Sequence, residues 1–565
     1  MNINALKKLL VLILFLLTTC SAAKDDKSCG LNHRAVTNST REKVRVFIFA
    51  GQSNMVGADS KVANIKQFPP FRGLESPQKN VLLSYCLGRE NKTQSDGWVA
   101  LQPVNGIVGP ELSFARRISK QTKARIAIIK CAAGGTHLGG DWNPDQPTGF
   151  KMYPLTLERV QKSLAELEEM GLDYQIDGFM WHQGENDMFV EDYMPNYGKN
   201  LANFIARWRQ DLKLPKLKFY IGELCTKTIW GMDLRPRMYA ISQGQKSVTR
   251  SDAQAEYVPT SHVGVEIGGG VGLHYHYGTL GQLQHGLNYA DAYLRTIDRL
   301  PIAQAKKPAW PAKNGKTVRL FVLAGHRNME GERAFVQELA ELEKHHNLLK
   351  DNPKIAFRYS LGGGYKQSDG WQALAPVDYY DTFGPELSFG KTIQQSLPGE
   401  PIAIAKFTHS GTQIIDWTPE GSMAKDRNIY PRFITFVKNS MSSLADRGYQ
   451  VELAGVFYHV GENDMSMPPY RKQAAAWIQK IIQQSRKDLS QPGLRWYVSQ
   501  QPPTDDPRVN SIDVTADLIE TLDKDPDATH IQAFQLPKQS KKLVISTAGI
   551  VALGKLLANE YLKNR

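Results

Sequence analysis

Apolar residues in the first half of this chain follow two alternating rhythms. Short, nearly continuous apolar runs at Val44 to Phe49, Arg125 to Cys131, Ile176 to Trp181 and Leu217 to Leu224 read as strands buried on both faces. Between them, Gly109 to Lys120, Leu155 to Met170 and Tyr197 to Asp211 carry apolar residues at helical spacing. Strands and helices in alternation predict an α/β fold, a mainly parallel sheet covered by helices on both sides.

The pattern occurs twice. GQSNM at Gly51 recurs as GHRNM at Gly325, QSDGW at Gln94 recurs at Gln367, GPELSF at Gly109 recurs at Gly384, and GENDM at Gly184 recurs at Gly461. GGTHLGGDW ending at Trp142 matches SGTQIIDW ending at Trp417, and every offset lies between 273 and 277 residues. A period this long is a whole domain, not a solenoid unit. The aperiodic stretch Pro301 to Lys316, rich in Pro, Lys and Ala, separates the copies. The expected organisation is a leader over 1–23, a linker over 24–41, a first domain over 42–300, a linker over 301–316 and a second domain over 317–565.

The leader follows from Lys7 and Lys8 ahead of the apolar run Leu9 to Leu17 and the small residues Ser21, Ala22 and Ala23. Cleavage after Ala23 predicts a secreted or periplasmic protein with no stable membrane anchor. The 565 residues carry a net charge of +13, but the basic residues are dispersed, so the charge reads as solubility and weak steering, not nucleic-acid binding. Five cysteines do not make a disulfide framework at this length, and Cys86, Cys131 and Cys225 lie in or beside apolar runs, as buried free thiols do. With no CxxC and no ligand-spaced His/Cys cluster, neither a metal nor another cofactor is indicated.

The candidate chemistry starts at the end of the first strand. Gly51 permits a tight turn that places Ser53 just past the strand's carboxyl end, where open α/β sheets keep their sites. Ser53 is the candidate nucleophile. After the strand at Arg125 to Cys131 comes the glycine turn Gly134-Gly135-Thr136, and after the next comes Trp181 to Asp187, WHQGEND. Near the end of the first domain, Gly268 to Gly286 offers two histidines, His274 and His276.

In this order the blocks resemble the SGNH (GDSL-like) hydrolases, in the variant found in carbohydrate esterase family six and the sialate O-acetylesterases. The resemblance implies two tandem three-layer α/β/α domains and a serine esterase acting through an acyl-enzyme. It places amides of Gly134 or Gly135 and the side chain of Gln183 or Asn186 around the oxyanion. Counting back from Gly281-Gln282 and Gly286, the family's closing block puts the catalytic base at His276, with His274 as the alternative. Members usually carry an aspartate three residues before that histidine, where this chain has Leu273. Glu185, Glu266 or a Ser–His dyad with a backbone carbonyl are the ways to fill the gap, and Glu185 is the one taken here. The implied substrate is an acetylated poly- or oligosaccharide of the acetylxylan or sialate type; Trp98, Trp142 and Trp181 are expected either to line its cleft or, at least as readily, to pack in the core.

The second copy is an internal control. Arg327 replaces Ser53, Val544 replaces His276, Lys542 replaces His274 and Val460 replaces Gln183, while Gly325, Asn328, Gly411, Glu462, Asn463 and Asp464 persist. The second domain is therefore expected to be pseudo-catalytic, either packing against the first or using Arg327 to bind an anionic glycan. The alternative for the whole chain is an inactive secreted carbohydrate-binding protein. No GxSxG elbow supports a lipase or peptidase.

Overall fold

The computed structural model describes residues 43–89, 92–224, 228–229, 232–264, 276–301, 305–309, 316–342, 347–377, 380–461, 464, 468–501, 515–537 and 544–565. The leader, Cys225, Glu266, His274, Glu462, Asn463 and Lys542 lie outside these residues.

The first copy is built on strands β1 (Val44–Gly51), β2 (Gln78–Leu87), β3 (Ile126–Ala132), β4 (Tyr174–His182), β5 (Phe219–Gly222) and β6 (Ala255–Val258). They pair in parallel in the order β6-β5-β4-β1-β3-β2, with the short strands Thr93–Gln94 and Val99–Leu101 antiparallel to β2. The second copy repeats this with β7 (Thr317–Gly325), β8 (Asn352–Leu361), β9 (Ile402–Thr408), β10 (Gln450–His459), β11 (Trp496–Gln500) and β12 (Ala528–Gln532), ordered β12-β11-β10-β7-β9-β8. Even the register shift recurs, between Val46 and Phe47 in β1 and between Leu320 and Phe321 in β7. The chain is two tandem α/β domains.

The apolar runs are continuous because both faces of each central strand are buried. Val46, Ile48 and Ala50 enter one core layer and Phe47 and Phe49 the other. Helices α1 (Ser53–Val56), α2 (Glu111–Ser119), α3 (Met152–Glu169), α4 (Tyr197–Asp211), α5 (Arg235–Ser251) and α6 (Gly278–Thr296) complete the first domain. Trp142 and Trp181 are fully buried in one of its cores, and half-buried Trp98 packs against that core while donating from Nε1 to Ser163 O (3.0 Å). Of the two readings of these rings, core packing is the one that Trp142 and Trp181 follow, their area being spent on the interior.

The retained GPELSF block has a structural cause. Glu111 forms a fully buried ion pair with Lys130 (2.7 Å), whose ammonium also donates to Val56 O (3.2 Å). Glu386 and Lys406 (2.8 Å), with Glu330 O (3.1 Å), repeat it. In both copies the pair ties the α2-type helix to the turn after the first strand, and neither charge survives burial without the other.

Residues 42–565 form one compact unit, and the copies meet through charged and aromatic contacts. Lys246 pairs with Asp426 (2.8 Å), Glu223 with Arg427 (3.6 Å), and Arg235 donates to Gln413 Oε1 (2.8 Å) while lying over the Tyr470 ring. His262 stacks on Tyr365 of the second copy (ring centroids 4.0 Å apart), and its Nε2 meets the Tyr380 hydroxyl (3.0 Å).

Burial pushes the His262 pKa from its ordinary 6.5 down to about 3, against the pull of nearby Glu223. Below pH 6.5 the unfolded chain takes up a proton that folded His262 refuses until pH falls to about 3. Stability is therefore full above that window and falls within it, by about 1.4 kcal/mol per pH unit at most for this group. Thermal unfolding at about pH 7 and about pH 4.5 is expected to show a smaller acid penalty in His262→Gln than in the wild type, whatever the absolute midpoints.

Candidate active site

Gly51 ends β1 at φ +152°, and a side chain there would collide with the carbonyl of His182 on the neighbouring strand. The glycine lets β1 turn at once into α1, leaving Ser53 at its first position. Ser53 is only 7% exposed, and its Oγ has no hydrogen-bond partner among the described residues.

Facing Ser53 is the turn after β3. A Cβ on Gly134 would stand 3.5 Å from the Ser53 Cβ, so the backbone approaches the serine closely. Gly135 follows at φ +75°, a conformation that favours glycine. A side chain on it would meet the Arg89 guanidinium (3.1 Å) and lie 3.8 Å from Asn186 Nδ2.

The WHQGEND block divides its labour. Gln52 Nε2 donates to Asn186 Oδ1 (3.1 Å), while Gln52 Oε1 accepts from Gly184 N (3.2 Å). That clamp sets which way the Asn186 amide faces, and its Nδ2 turns toward Gly135. The Gln183 side chain is committed elsewhere: its Nε2 donates to Thr136 O (3.0 Å) and Asp187 Oδ2 (2.5 Å), and its Oε1 accepts from Tyr197. Both amide hydrogens are used in shaping the turn, so the placement of Gln183 at the oxyanion is corrected. Asp187 accepts from Leu138 N (2.9 Å) and Gly139 N (3.0 Å), as Asp464 does from Ile414 N (3.0 Å) in the second copy, which is why this aspartate persists.

Glu185 also differs from expectation. It is fully buried, accepts from Asn54 Nδ2 (2.6 Å) and lies 3.5 Å from His182 Nε2. Burial acts to raise its pKa, but His182 and Asn54 outweigh this, and the net shift is downward. The carboxylate beside His276 is instead Asp59, with Oδ2 2.7 Å from Nδ1. The His276 side chain is 11% exposed and its Nε2 is buried, whereas the Asp59 side chain is 68% exposed.

Asn54 joins these parts. Besides donating to Glu185, its side chain accepts from Tyr277 N on Oδ1 (3.2 Å), and its carbonyl accepts from Gln282 Nε2 (2.9 Å). The backbone next to His276 is thus bonded to the side chain next to Ser53. In the second copy Asn328 makes the matching bond to Ile545 N (2.8 Å), so this asparagine serves the fold.

Asp59, Arg89 and Gln52 were not singled out from sequence. A signal existed: the second copy replaces them with Arg333, Gly363 and His326, the same substitution of site residues that marked Ser53. Arg327 itself is fully buried and ion-paired with Glu332, so it is not presented to an anionic glycan.

Comparison with known proteins gives the family. A family model described as carbohydrate esterase, sialic acid-specific acetylesterase matches residues 43–295 and again 317–563. A probable carbohydrate esterase of Arabidopsis thaliana is 27% identical over 263 residues, covering 44% of this chain and 90% of the relative. Among solved structures, an Arabidopsis thaliana protein aligns at 22% identity and TM-score 0.34, covering 45% of this chain and 98% of its own. A carbohydrate acetylesterase of Xanthomonas citri aligns at 15% identity and TM-score 0.34, covering 46% and 59%. The chain belongs to the carbohydrate esterase, sialic acid-specific acetylesterase family, carries its domain twice, and is a carboxylic ester hydrolase acting on carbohydrate.

Proposed function

We propose that the first copy removes O-acetyl groups from a sugar through a serine-linked acyl-enzyme. The observation that carries this is the buried Ser53 hydroxyl, without a partner among the described residues, against the Gly134-Gly135 turn toward which Asn186 Nδ2 points. His276 takes the Ser53 proton as the oxygen attacks the acyl carbonyl, returns it to the leaving sugar oxygen, and then activates water to release acetate. Asp59 accepts from Nδ1, fixing the tautomer that leaves Nε2 for the serine. Backbone amides of the glycine turn and Asn186 Nδ2 hold the oxyanion, each donor contributing about 3 kcal/mol. The second copy, with Arg327 for the serine and Val544 for the histidine, does not hydrolyse esters.

Arg89 favours a sugar that itself bears a carboxylate. It is exposed at the rim of the glycine turn, its guanidinium held over the Phe150 ring (4.9 Å to the centroid), and a guanidinium fork matches a carboxylate. Kinetics on O-acetylated sialic acid, acetylated xylan and 4-nitrophenyl acetate test this. Arg89→Gln is expected to raise KM for the acidic sugar by roughly ten- to hundredfold and to leave the neutral substrates nearly unchanged. An equal KM for both variants on the acidic sugar returns the assignment to a neutral polysaccharide.

The leader at 1–23 supports export, with the mature enzyme acting outside the cytoplasm. Among the described residues no helix is long and apolar enough to cross a membrane.

A further inference from the structure

The second copy reuses its oxyanion turn. Ser410-Gly411-Thr412 corresponds to Gly134-Gly135-Thr136, down to the Thr412 hydroxyl donating to His409 O (2.8 Å) as Thr136 does to Ala133 O (2.8 Å). In the first copy this turn lies against the serine. In the second it receives backbone from the first copy: the Ser410 hydroxyl donates to His262 O (2.6 Å), and Gly411 lies so close to Ser261 O that any Cβ would collide with it. Gly362, at the end of β8, packs against the His262 side chain, and a Cβ on Gly264 would stand 3.2 Å from Glu332 Oε1. The segment 261–264 of the first domain thus fills the place in the second where substrate would sit.

That segment is bonded directly to the histidine side of the active site. Thr260 Oγ1 meets the Tyr277 hydroxyl (2.6 Å), Gly264 N donates to Gln284 Oε1 (2.5 Å), and the Gly264 carbonyl packs against Gly281 of α6. Glu223 accepts from Thr260 N and Ser261 N (2.9 Å each) while paired with Arg427 of the second copy. Tyr277 is the neighbour of His276 and donates its own amide to Asn54, the neighbour of Ser53.

We infer that the second copy is a positioning domain: its vestigial cleft grips segment 260–264 and thereby holds Tyr277 and His276 against Ser53. The inference rests on the reading of Ser53 and His276 as the reacting pair. It explains why a copy without a nucleophile keeps the glycine turn. There the Ser410 hydroxyl donates to His262 O and the side-chain-free Gly411 leaves room for Ser261 O, so the turn is occupied by backbone of the first copy. A displaced base lowers the rate of chemistry while leaving substrate contacts in place.

The test is Gly411→Val, which drives a side chain into Ser261 O, and Ser410→Ala, which removes one hydrogen bond without new bulk. Lys524→Ala, at an exposed residue of the second copy paired locally with Glu520, serves as control. Steady-state kinetics on 4-nitrophenyl acetate and hydrogen exchange of the peptide containing Tyr277 are read on the full chain. Gly411→Val is expected to lower kcat by roughly ten- to hundredfold with KM within about twofold, and to speed exchange at Tyr277. Ser410→Ala moves both readouts the same way, by roughly two- to fivefold, and carries the test if the valine variant does not fold. Unchanged kcat, a change confined to KM, or a lost kcat with exchange at Tyr277 unaltered overturns the inference. A wild type that hydrolyses no ester overturns the esterase reading instead, and exchange at Tyr277 then decides the positioning role alone.

Discussion

Ser53→Ala is expected to lower kcat for acetate release by a factor on the order of 10^4 to 10^6, the usual scale for loss of a serine nucleophile. The residual rate should come from the oxyanion donors and binding, which the substitution leaves intact. The same variant is expected to unfold at the wild-type temperature or slightly above it. Ser53 Oγ is buried without a partner among the described residues, so its removal breaks none of the hydrogen bonds they make and relieves a desolvated polar atom. Loss of activity joined to retained stability is the signature of a group held for chemistry at some cost to the fold. Acetate release assayed beside calorimetry gives both numbers, and a variant that keeps even a tenth of the wild-type rate removes Ser53 from the mechanism.

What could be read from the chain and what could not divide along physical lines. The helix at Tyr197–Asp211 has the bounds its periodicity predicts, because one amphipathic face packs on one sheet. The strand expected over Leu217 to Leu224 forms only at Phe219–Gly222, since apolar residues beyond a strand can be buried in loops. The place of Ser53 at the turn is legible because its geometry is local: a strand, a glycine and a turn within ten residues. The partner of His276 was not, because Asp59 and His276 lie 217 positions apart and their contact depends on how α6 docks on the turn after α1. Gln183 and Asn186 look equivalent in sequence, and only the fold shows that Gln183 spends its amide on Thr136 and Asp187 while Asn186 is clamped by Gln52 with its Nδ2 toward Gly135. Trp142 and Trp181 show the same limit. Composition cannot say which side of a sheet layer an aromatic ring enters, and here both rings face the core.

Asp59→Asn should separate the two carboxylates that compete for the third place in the triad. Asp59 sits at φ +61°, a conformation that asparagine tolerates at least as well, so the substitution removes charge and leaves the backbone alone. Asparagine presents its NH2 or its oxygen to His276 Nδ1, and half of that choice stabilises the wrong tautomer. It also withdraws the negative charge that offsets the imidazolium formed as Ser53 attacks. A fully buried triad aspartate is worth about 10^4 in kcat, but this side chain is 68% exposed and water screens it, so a loss of roughly 10^2 is expected. KM and the unfolding temperature should barely change. Glu185→Gln should behave in the opposite way. Its carboxylate is fully buried against His182 and Asn54, so removing the charge disturbs a packed network and lowers the unfolding temperature first. A kcat unaffected by Asp59→Asn would leave His276 to work as a dyad with Ser53, and a stable Glu185→Gln protein with lost kcat would return the role to Glu185.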